Sequence, residues 1–422
     1  MNQRFEQSPA GDFMKNKRVL ITGISGFTGS YLAEYLLAQG AEVYGLIRKR
    51  ADGTAPKNLV DKAIEKEVRL AEGDIKDISS LEFALERSKP DIIFHLASQS
   101  FVQSSFANPT EFAETNAIGT ANLLEAVRVK NYEPKIIFAG SSEEYGLVIV
   151  SEEQRKRMIG RYGQITPEPQ RIPELPINED NPLRPMSPYA VSKVYGDYLT
   201  RNYFHSYSMK TVVSRGFNHE GAGRGPMFVT SIITSQVAKL KLGENDRIIV
   251  GNVNSFRDWS HVADIVQGYC LLAEVGESGN VYNQGSQRTN SVLSYILLTL
   301  EEAGYNVQKI ETFNGQKKVE NPTEVDDGEM FGVKFEKTRV DKMLLADELE
   351  YLIRDKGLKV YTDKGEVIIE FDENRFRPAD VPILLSDTSK IQRLGFKSKH
   401  TIRDIIRDQL NYFLDAKQRS YL

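Results

Sequence analysis

Cysteine is nearly missing from this chain of 422 residues: Cys270 is the only one. That excludes an internal disulfide and any zinc site built from several cysteines, and it suits a reducing compartment. Cys270 itself reads as a small buried hydrophobe. An excess of charge of either sign is also lacking. The 54 Lys+Arg and 58 Asp+Glu leave a net charge of −4 with the signs mixed, so nothing marks a nucleic-acid or anionic-membrane footprint. No apolar run approaches a membrane span, and the opening MNQRFEQSPAGDFM has no apolar centre of the kind a signal peptide needs. Positions 1–14 are expected as a loose tail, the protein as cytoplasmic, and its work as small-molecule chemistry without a metal. A chain this long buries a core without covalent staples.

What is present is an alternation of short apolar runs and helical patterns, the signature of an α/β fold with a doubly wound parallel sheet. The strands are expected at RVLIT, EVYGLIR, VRLAEGD, DIIFHLA, KIIFAGSS and KTVVSRGFN, between positions 18 and 218. Two stretches break the rhythm. Residues 147–178 join a charged run to the proline-rich ITPEPQRIPELP and read as an insertion, a candidate lid. Beyond Leu300 the pattern is mixed, with a charged region, a hairpin over 359–371 and a last amphipathic helix over about 401–416. The expected division is a Rossmann-type domain over 15–217, returning at about 255–280, and a smaller interleaved substrate domain from 218–254 and 281–422.

Directly after the first strand comes Gly23-Ile24-Ser25-Gly26-Phe27-Thr28-Gly29. Glycines at this spacing let backbone amides at a helix N-terminus approach a pyrophosphate, which points to a dinucleotide. The second strand ends in Arg48-Lys49-Arg50, where a basic cluster suits the 2′-phosphate of NADP, NAD remaining possible; an exposed basic loop is the other reading. Asp74, ending the third strand, is placed for the adenine end or serves as a helix cap. At the fifth strand end, Ser141 offers a hydroxyl and Glu143 a carboxylate two residues on. In MSPYAVSK, Pro188 fits a helix first turn, so Tyr189 and Lys193 share one face. An ammonium there would bring the phenol down toward use as a base, but spacing alone does not separate that from an ordinary solvated face.

Taken together, ITGISGFTGSYLAEYLL, LASQSFVQSSF, SSEEYG, SPYAVSKVYGDYL, FNHEG, FVTSI, GNVNSFRDWSHVADIV and RFRPADV resemble the extended short-chain dehydrogenase/reductases, and among them the GDP-mannose 4,6-dehydratase family. The resemblance implies catalytic roles for Ser141, Glu143, Tyr189 and Lys193. It places the cofactor against Gly23, Ser25, Gly26, Phe27, Thr28, Gly29, Arg48, Asp74, Ile75, Leu96 and Ala97, with Tyr189 and Lys193. A sugar nucleotide would meet Gln99, Ser142, Asn218, Val229, Arg257, Arg377 and Asp380, the arginines holding its diphosphate unless they are structural ion pairs. The implied reaction oxidises C4 with Tyr189 taking the hydroxyl proton, eliminates water across C5–C6 through Glu143, and returns the hydride to C6.

The chain departs from that pattern at Ser231-Ile232-Ile233, where the family carries a basic pair used near the guanine. Asp380 stands for a glutamate and Ser141 for a threonine, and residues 147–178 and about 315–355 exceed the usual lengths. A CDP-glucose or UDP-sugar dehydratase, a UDP-glucuronate decarboxylase or an epimerase is the rival enzyme reading, and an NADP-binding sensor the rival from another class. The resemblance also implies a homodimer or homotetramer.

Overall fold

The structure, a computed structural model, describes residues 13–48, 53–377 and 379–419. The first twelve residues of the expected tail, Lys49 and Arg50 of the basic cluster, and Pro378 of RFRPADV lie outside the described residues. The expected loose segment ends before position 14, because Met14 is buried in the core on one side of the sheet.

Six strands appear where the apolar runs predict them: β1 (Arg18–Thr22), β2 (Glu42–Ile47), β3 (Arg69–Glu72), β4 (Ile92–His95), β5 (Lys135–Ser141) and β6 (Thr211–Gly216). In β4 all four residues are buried, the continuous apolar pattern of a strand covered on both faces. A seventh strand, Val281–Gln284, pairs with β6, and the sheet runs Val281–Gln284, β6, β5, β4, β1, β2, β3 with every pair parallel. The parallel-sheet unit thus runs past the expected return at 255–280. Strand order reverses beside β1, so a crevice opens between the C-terminal ends of β1 and β4. Helices Phe27–Ala38 and Val262–Val275 pack on one face, and helices Ile78–Ser88, Gly119–Val129 and Pro188–Tyr207 on the other.

The second unit is a five-stranded sheet in the order Lys318–Glu320, Val307–Thr312, Gly357–Thr362, Gly365–Phe371, Arg247–Val250. The expected hairpin is its third and fourth members, paired antiparallel. Helices Val229–Lys241, Val292–Glu302 and Ile402–Leu414 share its core. The last buries Ile402, Ile405, Ile406, Gln409, Leu410 and Phe413 at three- and four-residue spacing and starts at a capping box of Thr401 and Asp404.

Candidate active site

One cavity of about 950 Å³ runs from the glycine loop to the second unit, and every residue for which the family resemblance implies a catalytic, cofactor or substrate role lines it. At its dinucleotide end the turn after β1 leaves no space for side chains. Gly23 has φ +79°, and a Cβ there would lie 2.8 Å from Ala97 N; one on Gly29 would meet Gly23 O at 2.2 Å. The loop opens onto the N-terminus of helix Phe27–Ala38, where free amides favour a phosphate. These features fit a dinucleotide. Thr28 Oγ1 is hydrogen-bonded to His219 Nε2 at 3.0 Å, joining the loop to the FNHEG turn. Arg48, Asp74 and Ile75 border the same end, with Leu96 and Ala97 after β4.

At the centre of the cavity, β5 delivers Ser141, the 3-10 turn that follows it delivers Ser142 and Glu143, and helix Pro188–Tyr207 delivers Tyr189 and Lys193. That helix starts as predicted, with Ser187 as N-cap accepting from Ala190 N and Pro188 in the first turn. Ser141, Glu143, Tyr189 and Lys193 are all buried, which settles the question that spacing left open: the pair faces the cavity, not a solvated surface. The Tyr189 ring meets Phe112 edge-on at 6.3 Å. A π-helical turn, Ala113–Ile118, brings Asn116 to Ser192 Oγ at 3.0 Å and to both backbone groups of Gln99. Such turns are used where a side chain must be re-aimed.

The charges differ from the expectation for the pair. Burial pushes the Tyr189 phenol up to about 12; the Ser141 hydroxyl opposes this and Glu143 and Glu144 add to it. The protein's own groups therefore hold Tyr189 as a phenol, because desolvation of the phenolate outweighs its stabilisation. Burial brings Lys193 down to about 8, with Glu144 opposing, and its Nζ donates to Ala139 O at 2.8 Å.

In the FNHEG turn, Asn218 Oδ1 is buried without a hydrogen-bond partner beside the cavity. Arg257 Nη1 donates to Phe256 O and Val381 O, and its Nη2 donates to Asp380 Oδ1 at 3.0 Å. Arg377 stands 3.8 Å from the same carboxylate. Burial alone would raise the Asp380 carboxyl, but Arg257 and Arg377 hold it below the usual range. Asp380 also accepts from Ser255 and Asn252, so it underpins the arginine pair rather than reaching for a ligand. Of the Ser231-Ile232-Ile233 run, Ser231 Oγ is turned to Arg224 O, Ile233 is in the core, and Ile232 alone lines the cavity.

No residue of 147–178 or 315–355 lines the cavity, which corrects the lid expectation. Leu147, Ile149 and Ile165 form their own small core, and Glu174 and Arg184 bury a two-pronged ion pair at 2.8 Å that fastens the segment away from the crevice. Several lining residues carry no sequence signal. Arg224 stacks on Phe228 at 3.6 Å. Lys57 Nζ donates to Tyr412 Oη at 3.1 Å and Gln418 Oε1 at 2.7 Å, drawing the C-terminal segment to the dinucleotide end. Only the folded chain brings these partners together, across more than 350 positions in the last case.

Residues 19–285 match the NAD dependent epimerase/dehydratase family. A GDP-mannose 4,6-dehydratase of Yersinia enterocolitica is 33% identical over 417 residues, 96% of each chain. GDP-mannose 4,6 dehydratase 1 of Arabidopsis thaliana is 34% identical over 373 residues, 82% of this chain and 94% of its own. Among solved structures, RMD from Pseudomonas aeruginosa complexed with NADPH superposes with a TM-score of 0.63 at 23% identity, over 94% of this chain and 99% of that one. UDP-glucose 4-epimerase from Bifidobacterium longum in complex with NAD+ and UDP gives 0.65 at 23%, over 95% and 99%. These two likenesses establish the same fold. The sequence match spans the glycine loop, β5 and the helix bearing Tyr189 and Lys193: the chain belongs to the NAD dependent epimerase/dehydratase family.

Proposed function

We propose that this chain is an NADP-dependent sugar-nucleotide 4,6-dehydratase, with GDP-mannose as its first-choice substrate. The observation that carries this is one buried cluster, Ser141, Glu143, Tyr189 and Lys193, in a cavity that also holds a glycine-loop cradle and an arginine pair. An epimerase needs no carboxylate at the reacting carbons; a dehydratase does. Arg48 beside the cradle favours NADP over NAD.

When bound, the nicotinamide accepts a hydride from the sugar and gives it back in the same turnover. The chain's residues do the rest. Arg257 and Arg377 hold the diphosphate by guanidinium contacts, and Asn218 Oδ1 accepts from the substrate. Ser141 orients the sugar 4-hydroxyl, and Tyr189, which burial holds as a phenol, takes its proton only in its ionised form, which the Lys193 charge favours. The 4-ketone so formed acidifies the C5 proton, which Glu143 removes and then delivers to the leaving 6-hydroxyl; as the hydride returns to C6, a proton exchanged with solvent adds at C5. The buried walls keep bulk water from the intermediate.

A cytoplasmic homodimer or homotetramer belongs to the same reading. Val191, Tyr195 and Tyr198 are exposed on one stripe of helix Pro188–Tyr207, facing away from the cavity-lining Tyr189 and Lys193, and Cys270 is a buried thiol. The test is a panel of GDP-, CDP- and UDP-hexoses with the purified protein and NADP, read by NADP binding and by the mass of the product. Water loss from GDP-mannose supports the reading. Decarboxylation of UDP-glucuronate, or NADP binding with no turnover of any sugar, contradicts it.

A further inference from the structure

Behind the strand end that presents Ser141 and Glu143 lies a buried ion cluster that the chemistry above does not use. Glu144 folds back so that its Oε1 accepts from Ser141 N at 2.7 Å, while Ser141 Oγ accepts from Glu143 N at 3.2 Å. The close approach needs a bare backbone, since a Cβ on Gly140 would lie 2.8 Å from Glu144 Oε1. Arg215 Nε, on β6, stands 3.3 Å from Glu144 Oε2 and 2.9 Å from Asp197 Oδ2. Its hydrogen goes to Asp197, and its Nη1 donates to Tyr145 Oη and Glu179 O. Asp197 Oδ1 is taken by Arg201. Glu144 Oε2 is left buried with no donor, within hydrogen-bonding reach of the Asp197 side chain. An ionised oxygen so placed is costly, whereas a protonated one supplies its own donor.

We propose that Glu144 is a positioning residue held as a neutral acid: Oε1 accepts from the Ser141 amide, the Oε2 hydroxyl donates to Asp197, and this brace sets Ser141 and Glu143 in place. Burial, reinforced by Asp197 and opposed by Arg215, pushes Glu144 up to about 8. The charged and titratable groups facing it are Asp197, Tyr189 and Lys193 from helix Pro188–Tyr207, Arg215 from β6, and Tyr145 from its own turn. A negative charge at Glu144 pushes Tyr189 up further, so the neutral form removes one obstacle to ionising Tyr189.

The kinetic part of this inference rests on the proposed roles of Ser141 and Glu143; the titration part does not. Because the folded-state pKa lies above the ordinary 4.5, the folded chain keeps a proton that the unfolded chain releases. Its stability contribution is full below about 4.5 and is lost as pH rises through about 8. Thermal unfolding of the full chain and of Glu144→Gln is compared across that window. The Gln variant, neutral at every pH, is expected to gain in melting temperature on the wild type as pH rises. Its kcat near neutral pH is expected within about twofold of wild type, whereas Glu144→Ala loses about tenfold or more in kcat with KM and NADP binding little changed. A Gln variant whose melting temperature follows the wild-type pH dependence overturns the neutral acid. A folded Ala variant with wild-type kcat overturns the positioning role. Absence of any turnover in the wild type would count against the dehydratase reading alone, and the melting curves would still decide the protonation.

Discussion

Lys193 donates its ammonium to the carbonyl of Ala139 at 2.8 Å, tying the helix that carries Tyr189 to the strand that carries Ser141. The lysine is thus both a charge near the phenol and a fastener between two elements. Replacing it with methionine removes both. Lys193→Met is expected to lower kcat by about 100-fold or more and to weaken NADP binding, as measured by steady-state kinetics and a fluorescence titration. Burial brings this ammonium down to about 8, so wild-type kcat falls as pH rises through that value. A variant within about tenfold of wild type removes Lys193 from the chemistry.

Asp380 predicts a different split. Its carboxylate fixes Arg257 at 3.0 Å and faces Arg377 at 3.8 Å, so Asp380→Asn loosens the arginine pair without touching Tyr189 or Glu143. KM for the sugar nucleotide is expected to rise about tenfold, the cost of one charge-assisted hydrogen bond, with kcat nearly unchanged. An equal fall in kcat with KM unmoved would place Asp380 at the reacting atoms instead.

His95 sets an acid limit on stability. It is buried between Thr22 Oγ1 at 2.7 Å and Thr120 Oγ1 at 2.9 Å, and burial, with Lys193 adding to it, brings it down to about 3. The unfolded chain binds a proton below about 6.5 that the folded chain refuses, so stability is lost as pH falls from there toward about 3. Melting curves of the wild type and His95→Gln, compared at neutral and acid pH, check this. The wild-type advantage should shrink in acid, and a constant difference would contradict it.

Glu143→Gln separates the two halves of the reaction. NADP binding and some C4 oxidation are expected to survive, the latter seen as a change in nicotinamide absorbance on adding substrate, while water loss falls by about 100-fold or more. Full dehydration by this variant would take Glu143 out of its assigned role.

The parts of this molecule that were legible in the sequence are those fixed by local pattern. Buried parallel strands show as unbroken apolar runs, the glycine loop shows because only glycine fits where Ala97 N and Gly23 O crowd the turn, and the helix start at Ser187-Pro188 shows through its cap. The seventh strand, Val281-Tyr282-Asn283-Gln284, was illegible because half of it is polar. Asn283 is buried only because Tyr145, Glu179 and the Ile177 carbonyl, all distant in sequence, satisfy it. The lid expectation failed because 152–157 is part of a helix whose charged side chains are turned outward around the buried Gln154, while Ile165 and Ile172 further along hold the segment to its own core. The phenol state of Tyr189 does not show in the spacing, which contains the lysine but not the burial.

The most direct test of the central claim is incubation of the purified protein with NADP and GDP-mannose in deuterated water, followed by mass spectrometry and proton NMR of the nucleotide sugar. The account gives a product that has lost one water and gained one carbon-bound deuterium, with a 4-ketone, a 6-methyl group and that deuterium at C5. Recovery of a sugar nucleotide of unchanged mass, whether the starting material or its 4-epimer, would contradict it.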